Sequence, residues 1–145
     1  MAYTQRIDVR FPDVDFARVV YFPRLFDYCH RAFEDFFAAE VGIPYARMLN
    51  ERKVGFPARH AESDFQSPLR FGDVCRVVMD VLELGEKSIT CRFRLFLGDS
   101  NQVCATAQVT QVAIDMDTFR SRPLPDDIKA VFARHLVEDA EETLS

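Results

Sequence analysis

Tryptophan is absent from this chain of 145 residues, and so is any surplus of basic charge: the formal net charge is −5 and the pI is near 5.2. Nucleic-acid binders normally carry a basic stripe or surplus, so this balance argues against that class. No apolar run approaches the roughly 20 residues of a membrane-spanning helix. The opening Met-Ala-Tyr-Thr-Gln-Arg lacks an apolar signal core. A soluble, cytoplasmic protein without membrane or nucleic-acid partners is expected. The cysteines, Cys29, Cys75, Cys91 and Cys104, form no Cys-x-x-Cys pair and have no histidine at zinc-finger spacing. Each lies in an apolar helix or strand pattern and reads as a reduced core thiol. No metal is expected. A Gly-x-Ser-x-Gly elbow is missing, and no Ser/His/Asp order stands out. Repeats, low-complexity tracts and linkers are missing too, so residues 1–145 read as a single domain.

What is abundant is apolar residues, at 48%, enough to fill a core, and phenylalanine, with 14 copies that can serve the core or a flat apolar pocket. Ile7, Val9 and Phe11 alternate with Asp8 and Arg10, predicting a short strand that Pro12 ends. From Arg24 to Glu40 the period changes. Leu25, Phe26, Cys29, Ala32, Phe33, Phe36 and Phe37 recur at helical spacing, with Pro23 at the first helical position and Gly42-Ile43-Pro44 as the stop. A shorter helix is expected over Tyr45–Glu51. Strands follow at Ala58–Phe65, Val74–Leu84, Ile89–Leu97 and Val103–Gln111, separated by the turns Arg70–Asp73, Gly85–Lys87 and Gly98–Asn101. In the last strand Val103, Ala105, Ala107, Val109 and Gln111 share one face. A final helix after Pro125 puts Ile128, Val131, Phe132 and Leu136 inward and His135 on the surface; the acidic tail beyond Val137 is expected to fray. The order implies an α+β fold: one long helix packed on one face of a curled antiparallel sheet. A single helix leaves edge strands to be protected, which makes self-association plausible by sheet extension or helix packing.

The chemistry concentrates in Asp13-Val14-Asp15-Phe16-Ala17-Arg18-Val19-Val20-Tyr21-Phe22-Pro23-Arg24-Leu25. Phe22 offers no side-chain acceptor as an N-cap, so the N–H groups of Phe22, Arg24 and Leu25 are candidates to hold an anion or a polarised carbonyl. The simpler alternative is that Asp13 or Asp15 caps those donors from outside the helix. Asp15 can instead act as a base or nucleophile, since a carboxylate with a pKa of about 3.9 is ionised at neutral pH. Thioesters suit so modest a base, because the thiolate leaves without a strong acid.

Asp-x-Asp followed by Val19-Val20-Tyr21-Phe22-Pro23 at the head of an aromatic-rich helix resembles the hotdog-fold acyl-CoA thioesterases of the 4-hydroxybenzoyl-CoA thioesterase type. Asp64-Phe65-Gln66-Ser67-Pro68-Leu69-Arg70-Phe71-Gly72-Asp73 and Gly85-Glu86-Lys87-Ser88 resemble later strands and turns of that family, and the likeness covers roughly residues 5–125. It implies hydrolysis of an acyl-CoA, with coenzyme A as part of the substrate and no bound cofactor. It implies Asp15 as nucleophile or general base, the Phe22 backbone N–H as the group polarising the carbonyl, Lys87 near the nucleotide phosphates, and Tyr21 and Phe22 as walls of the acyl pocket. It further implies a homo-oligomer, a dimer at least and typically a tetramer, with the site at a subunit interface. The chain has Arg18 where members commonly have Gly, and His30 where many carry an acidic residue.

Other candidates remain. His30 reads either as an acid/base group or substrate hydrogen-bonder, or as a helix-flank histidine beside a carboxylate. Arg59, Arg70, Lys87, Arg92 and Arg94 can build a positive patch for coenzyme A or be ordinary strand charge; Lys87 leads, with Ser67 and Arg70 weaker binding candidates. His60, Glu62 and Asp64 share a strand face, where they diverge and read as a solvated surface rather than a metal cluster. Two rival functions stand beside thioester hydrolysis: a hotdog hydratase or dehydratase acting on acyl-CoA or an acyl carrier protein, which needs a His–carboxylate pair, and a non-catalytic acyl-CoA-binding protein.

Overall fold

The computed structural model describes residues 2–137. The alternating runs form strands β1 (Tyr3–Asp8), β3 (Ala58–Phe65), β4 (Val74–Leu84), β5 (Ser88–Leu97) and β6 (Val103–Val112). They make one antiparallel sheet in the order β1-β4-β5-β6-β3. Cys75, Val77, Met79 and Val81 of β4 and Ile89, Cys91, Phe93 and Leu95 of β5 fill its inner face and are fully or almost fully buried. The long helix α1 (Phe22–Phe36) lies on that face through Leu25, Tyr28, Cys29, Ala32, Phe33 and Phe36. Each large side chain buried here contributes about 1.5–3 kcal/mol. α2 (Tyr45–Asn50) and α3 (Asp126–Ala133) close one end. Phe36 and Phe132 meet there at 4.6 Å, within an aromatic cluster that includes Phe33, Phe37, Tyr45 and Phe56.

The helix starts one residue ahead of the expected first position, because Pro23 occupies the second position and Phe22 the first. Past Phe36 it widens into a looser turn, Phe37–Val41, closed by the Gly42 N–H donating to the Phe37 carbonyl. Gly42 sits at φ 82°, the left-handed cap that suits glycine. β1 lies earlier than the Ile7–Phe11 alternation suggests. Its ladder with β4 ends at Asp8, and Phe11 enters a one-turn helix, Phe11–Asp13, where it is exposed. Two short strands escaped prediction: β2 (Val54–Gly55) and β7 (Ile114–Asp115), paired with each other.

His135 is a second correction. It lies just past α3 rather than in it, and it is 1% exposed instead of on the surface. The Val81 N–H donates to the His135 carbonyl and the Val137 N–H to the Val81 carbonyl, so this segment lies along β4. Leu136 belongs to the same segment, not to the helix. The tail beyond Val137, expected to fray, is outside the described residues. All four cysteines are free and buried, and burial pushes each thiol pKa up, that of Cys75 to about 12. They are unreactive core residues.

Candidate active site

Between β1 and α1 the chain makes a tight hairpin. Val14 bridges Val20, the Asp15 N–H donates to the Val19 carbonyl, and the Arg18 N–H donates to the Asp15 carbonyl. Arg18 takes φ 68°, which explains why glycine suits this position. Asp15 therefore stands exposed near the hairpin tip, beside the start of α1. One carboxylate oxygen accepts the Ala17 N–H at 2.8 Å; the other has no partner among the described residues.

Neither aspartate caps the helix. Asp13, 5% exposed, accepts the Tyr28 hydroxyl at 2.7 Å and the Arg10 N–H at 3.0 Å, while its carbonyl accepts the Tyr21 N–H. Burial pushes the Asp13 carboxyl up. The Arg10 N–H, the Tyr28 hydroxyl and the charges of Arg24 and Arg31 outweigh that and hold its pKa below the usual carboxylate range. Asp13 is thus an ionised latch between the hairpin and α1. The Arg24 N–H turns back to the Tyr21 carbonyl, and the Phe22 N–H meets no acceptor among the described residues. An open donor at a helix N-terminus is equipped to polarise a carbonyl, and an exposed carboxylate on the preceding hairpin to supply a base.

Two cavities flank α1. The first, about 290 Å³, lies at the helix start and is lined by Phe22, Leu25, Phe65, Ser67 and Leu69 among others. The second, about 480 Å³ and almost wholly apolar, lies farther along α1 and includes Phe26, His30, Tyr45, Ala58, Val109 and Gln111. Phe22 and Ser67 line the helix-start cavity, the Tyr21 ring packs near that of Phe22, and Asp15 stands on the hairpin that precedes the helix, outside the cavity lining, with Arg70 exposed in the turn that follows Leu69. Lys87 is not with them. It is exposed in the β4–β5 turn, and its carbonyl accepts the Ala113 N–H near the Ala58 end of β3.

His30 is exposed on α1, its ring near Phe33 and Tyr45, and it pairs with no carboxylate among the described residues. Arg92 and Arg94 are committed to Asp80 on the outer sheet face, at 2.5 and 2.9 Å. Arg59 is exposed on β3, and so are His60, Glu62 and Asp64; no metal-binding cluster occurs among the described residues. The sequence reading missed Tyr28 as partner of Asp13, and Tyr45 and Gln111 as cavity walls. Gln111 carried a signal, being the one strongly polar residue on the apolar face of its strand.

A curled antiparallel sheet around one long helix is the hotdog architecture. A family model described as the thioesterase-like superfamily matches residues 9–132, and the chain belongs to that family. A 1,4-dihydroxy-2-naphthoyl-CoA hydrolase of Synechococcus elongatus is 35% identical over 126 residues, covering 86% of this chain and 90% of that protein. The crystal structure of a 1,4-dihydroxy-2-naphthoyl-CoA thioesterase from Synechocystis superposes with a TM-score of 0.83 at 26% identity, covering 92% of this chain and 96% of that one. A gentisyl-coenzyme A thioesterase gives 0.78 at 25% identity, covering 87% and 98%. The protein is a thioester hydrolase.

Proposed function

We propose that the protein hydrolyses an aromatic acyl-CoA to the free acid and coenzyme A, as a single-domain cytoplasmic enzyme needing no cofactor beyond the coenzyme A its substrate brings. What supports this reading is the open N–H of Phe22, a residue that lines the helix-start cavity, in the same short segment as the exposed Asp15 carboxylate. The thioester carbonyl oxygen accepts the Phe22 N–H, which stabilises the oxyanion as it forms. Asp15 then adds to the carbonyl carbon and expels the thiolate, leaving an anhydride that water cleaves; or it takes a proton from water, whose oxygen adds instead. Either way one water is consumed, its oxygen entering the acid and a proton reaching the thiolate. The named relatives act on aromatic acyl-CoAs, which supports the choice of acyl group.

The active unit in this reading is a homo-oligomer built on β3. That strand is a sheet edge with every residue but Ser63 exposed, and Phe22 and Phe65 beside it are more than half exposed. Paired antiparallel with a second copy of itself, its basic half, Arg59 and His60, meets the acidic half, Glu62 and Asp64, of the other. The Phe65 end of one copy then lies beside the Ala58 end of the next. This brings the helix-start cavity and Asp15 of one copy toward the apolar cavity and Lys87 of the other.

The test is release of free thiol from acetyl-, palmitoyl-, benzoyl- and 2-naphthoyl-CoA. Aromatic esters are expected to exceed the aliphatic ones by at least about tenfold in kcat/KM. Binding of all four without release would overturn the reading in favour of a non-catalytic acyl-CoA-binding protein.

A further inference from the structure

Gln111 is a buried amide, 3% exposed, on the inner face of β6. Its neighbours on that face are Ala105, Ala107 and Val109, and a polar group is placed among them at a cost unless it is used. Half of it is accounted for: Nε2 donates to the Phe56 carbonyl at 2.8 Å. That bond fixes which end of the amide is which, because only the NH₂ can donate to a carbonyl. Oε1 is the acceptor left over: it accepts no hydrogen bond among the described residues and is not one of their fully buried unpaired atoms, so it remains accessible. Gln111 lines the apolar cavity of about 480 Å³, a size typical of small-molecule sites. Phe93 and Val109 extend the sheet wall, while Phe26, His30 and Tyr45 face it from the helical side. Burial pushes the Tyr45 phenol up to about 12, with the Glu34 charge adding to it and the Phe56 N–H opposing it, so Tyr45 stays a neutral hydroxyl.

We infer that Gln111 is a specificity-determining residue: the cavity takes a flat aromatic acyl group, and Oε1 of Gln111 accepts a hydrogen bond from a hydroxyl on that ring. The inference rests on the thioesterase reading for the acyl group's attachment to coenzyme A. It does not rest on it for recognition of the ring. Geometry links the two. Gln111 pairs with Ala58, and Ala58 and Phe65 stand roughly 23 Å apart along β3 at about 3.3 Å per residue, so Gln111 lies at the far end of a cavity whose near wall includes Phe26 and Ala61. Antiparallel pairing of two β3 strands puts these ends side by side. A thioester held at Phe22 of one copy thus reaches the Gln111 cavity of the second.

The test compares benzoyl-CoA with 2-, 3- and 4-hydroxybenzoyl-CoA, which together sample every ring position. The wild type is expected to prefer at least one hydroxylated isomer by roughly 10- to 100-fold in kcat/KM, the range of a polar site that rejects the partner lacking its group. Gln111→Met, of similar length but without either polar group, is expected to lose that preference, the kcat/KM ratio of each hydroxylated ester to benzoyl-CoA falling to within about threefold of one. A preference kept intact by Gln111→Met overturns the inference. Val109→Phe is a second variant that keeps Gln111 and fills the cavity. It is expected to slow the aromatic esters at least about tenfold more than acetyl-CoA; undiminished aromatic turnover overturns the cavity assignment. Titration with the free hydroxybenzoates, which carry no thioester, separates the two readings. Binding that Gln111→Met abolishes supports the inference even if no ester is turned over, and equal binding to wild type and variant, or none to either, overturns it.

Discussion

Asp13 and Asp15 belong to one short motif, yet Asp13 is buried against Tyr28 and Asp15 is exposed. Burial with three kinds of donor makes Asp13 a structural carboxylate. Its lowered pKa means that it adds stability above the unfolded-state value of about 3.9 and that this is lost as pH falls through the lower folded-state value. Tyr28→Phe removes the hydroxyl and is expected to cost about 1–2 kcal/mol at pH 7. The same variant should lose less further stability than wild type between about pH 4 and pH 2, because its Asp13 pKa is less depressed. Urea midpoints at the two pH values check both. The place of Asp15 and Phe22 at the hairpin and helix start was legible in the sequence because the motif sits where a strand pattern gives way to a helical one. His135 was not placed correctly, and Gln111, put on the right strand face, was not read as a cavity wall, for one reason: both depend on tertiary neighbours. His135 is buried by β4 through backbone bonds that no local pattern encodes.

At the scale of elements, the start of α1 is the critical feature. Tyr21 is extended, φ −62° and ψ 126°, a conformation the residue before a proline readily adopts. Phe22→Pro therefore fits the first turn while deleting the N–H; Phe22→Ala keeps the N–H and deletes only the ring. The expected outcome is a loss of about 100-fold or more in kcat for Phe22→Pro, a much smaller loss for Phe22→Ala, and unchanged helical circular dichroism in both. At the other end, a Cβ on Gly42 meets nothing within 4 Å, so Gly42→Ala costs only backbone strain, about 1 kcal/mol by thermal unfolding. Long periodic segments were readable: α1, and β4 to β6 with their turns. β2 and β7, two residues each, are too short to show a period. β1 was shifted because the Ile7, Val9, Phe11 alternation runs past the point where its ladder stops.

For the whole molecule, the α+β class was legible because one helical period stands against a run of twofold ones, and an α+β sheet with a single long helix is what formed. The proposed assembly pairs the exposed β3 edges of two copies. His60→Asp sets like charges against Glu62 and Asp64 of the second copy, and is expected to weaken association about fivefold or more, at roughly 1 kcal/mol. Sedimentation of wild type and variant over a dilution series measures this, and activity should fall in step with dissociation. A fully active monomer would contradict an active site shared between copies. The claim on which the rest depends is that the Asp15 carboxylate performs the hydrolysis, and it is tested most directly by thiol release from the best aromatic acyl-CoA with wild type and Asp15→Asn. The prediction is a fall in kcat of at least about 100-fold, with KM within about threefold and an unchanged melting temperature. An Asp15→Asn enzyme that retains more than about a tenth of wild-type kcat would contradict it.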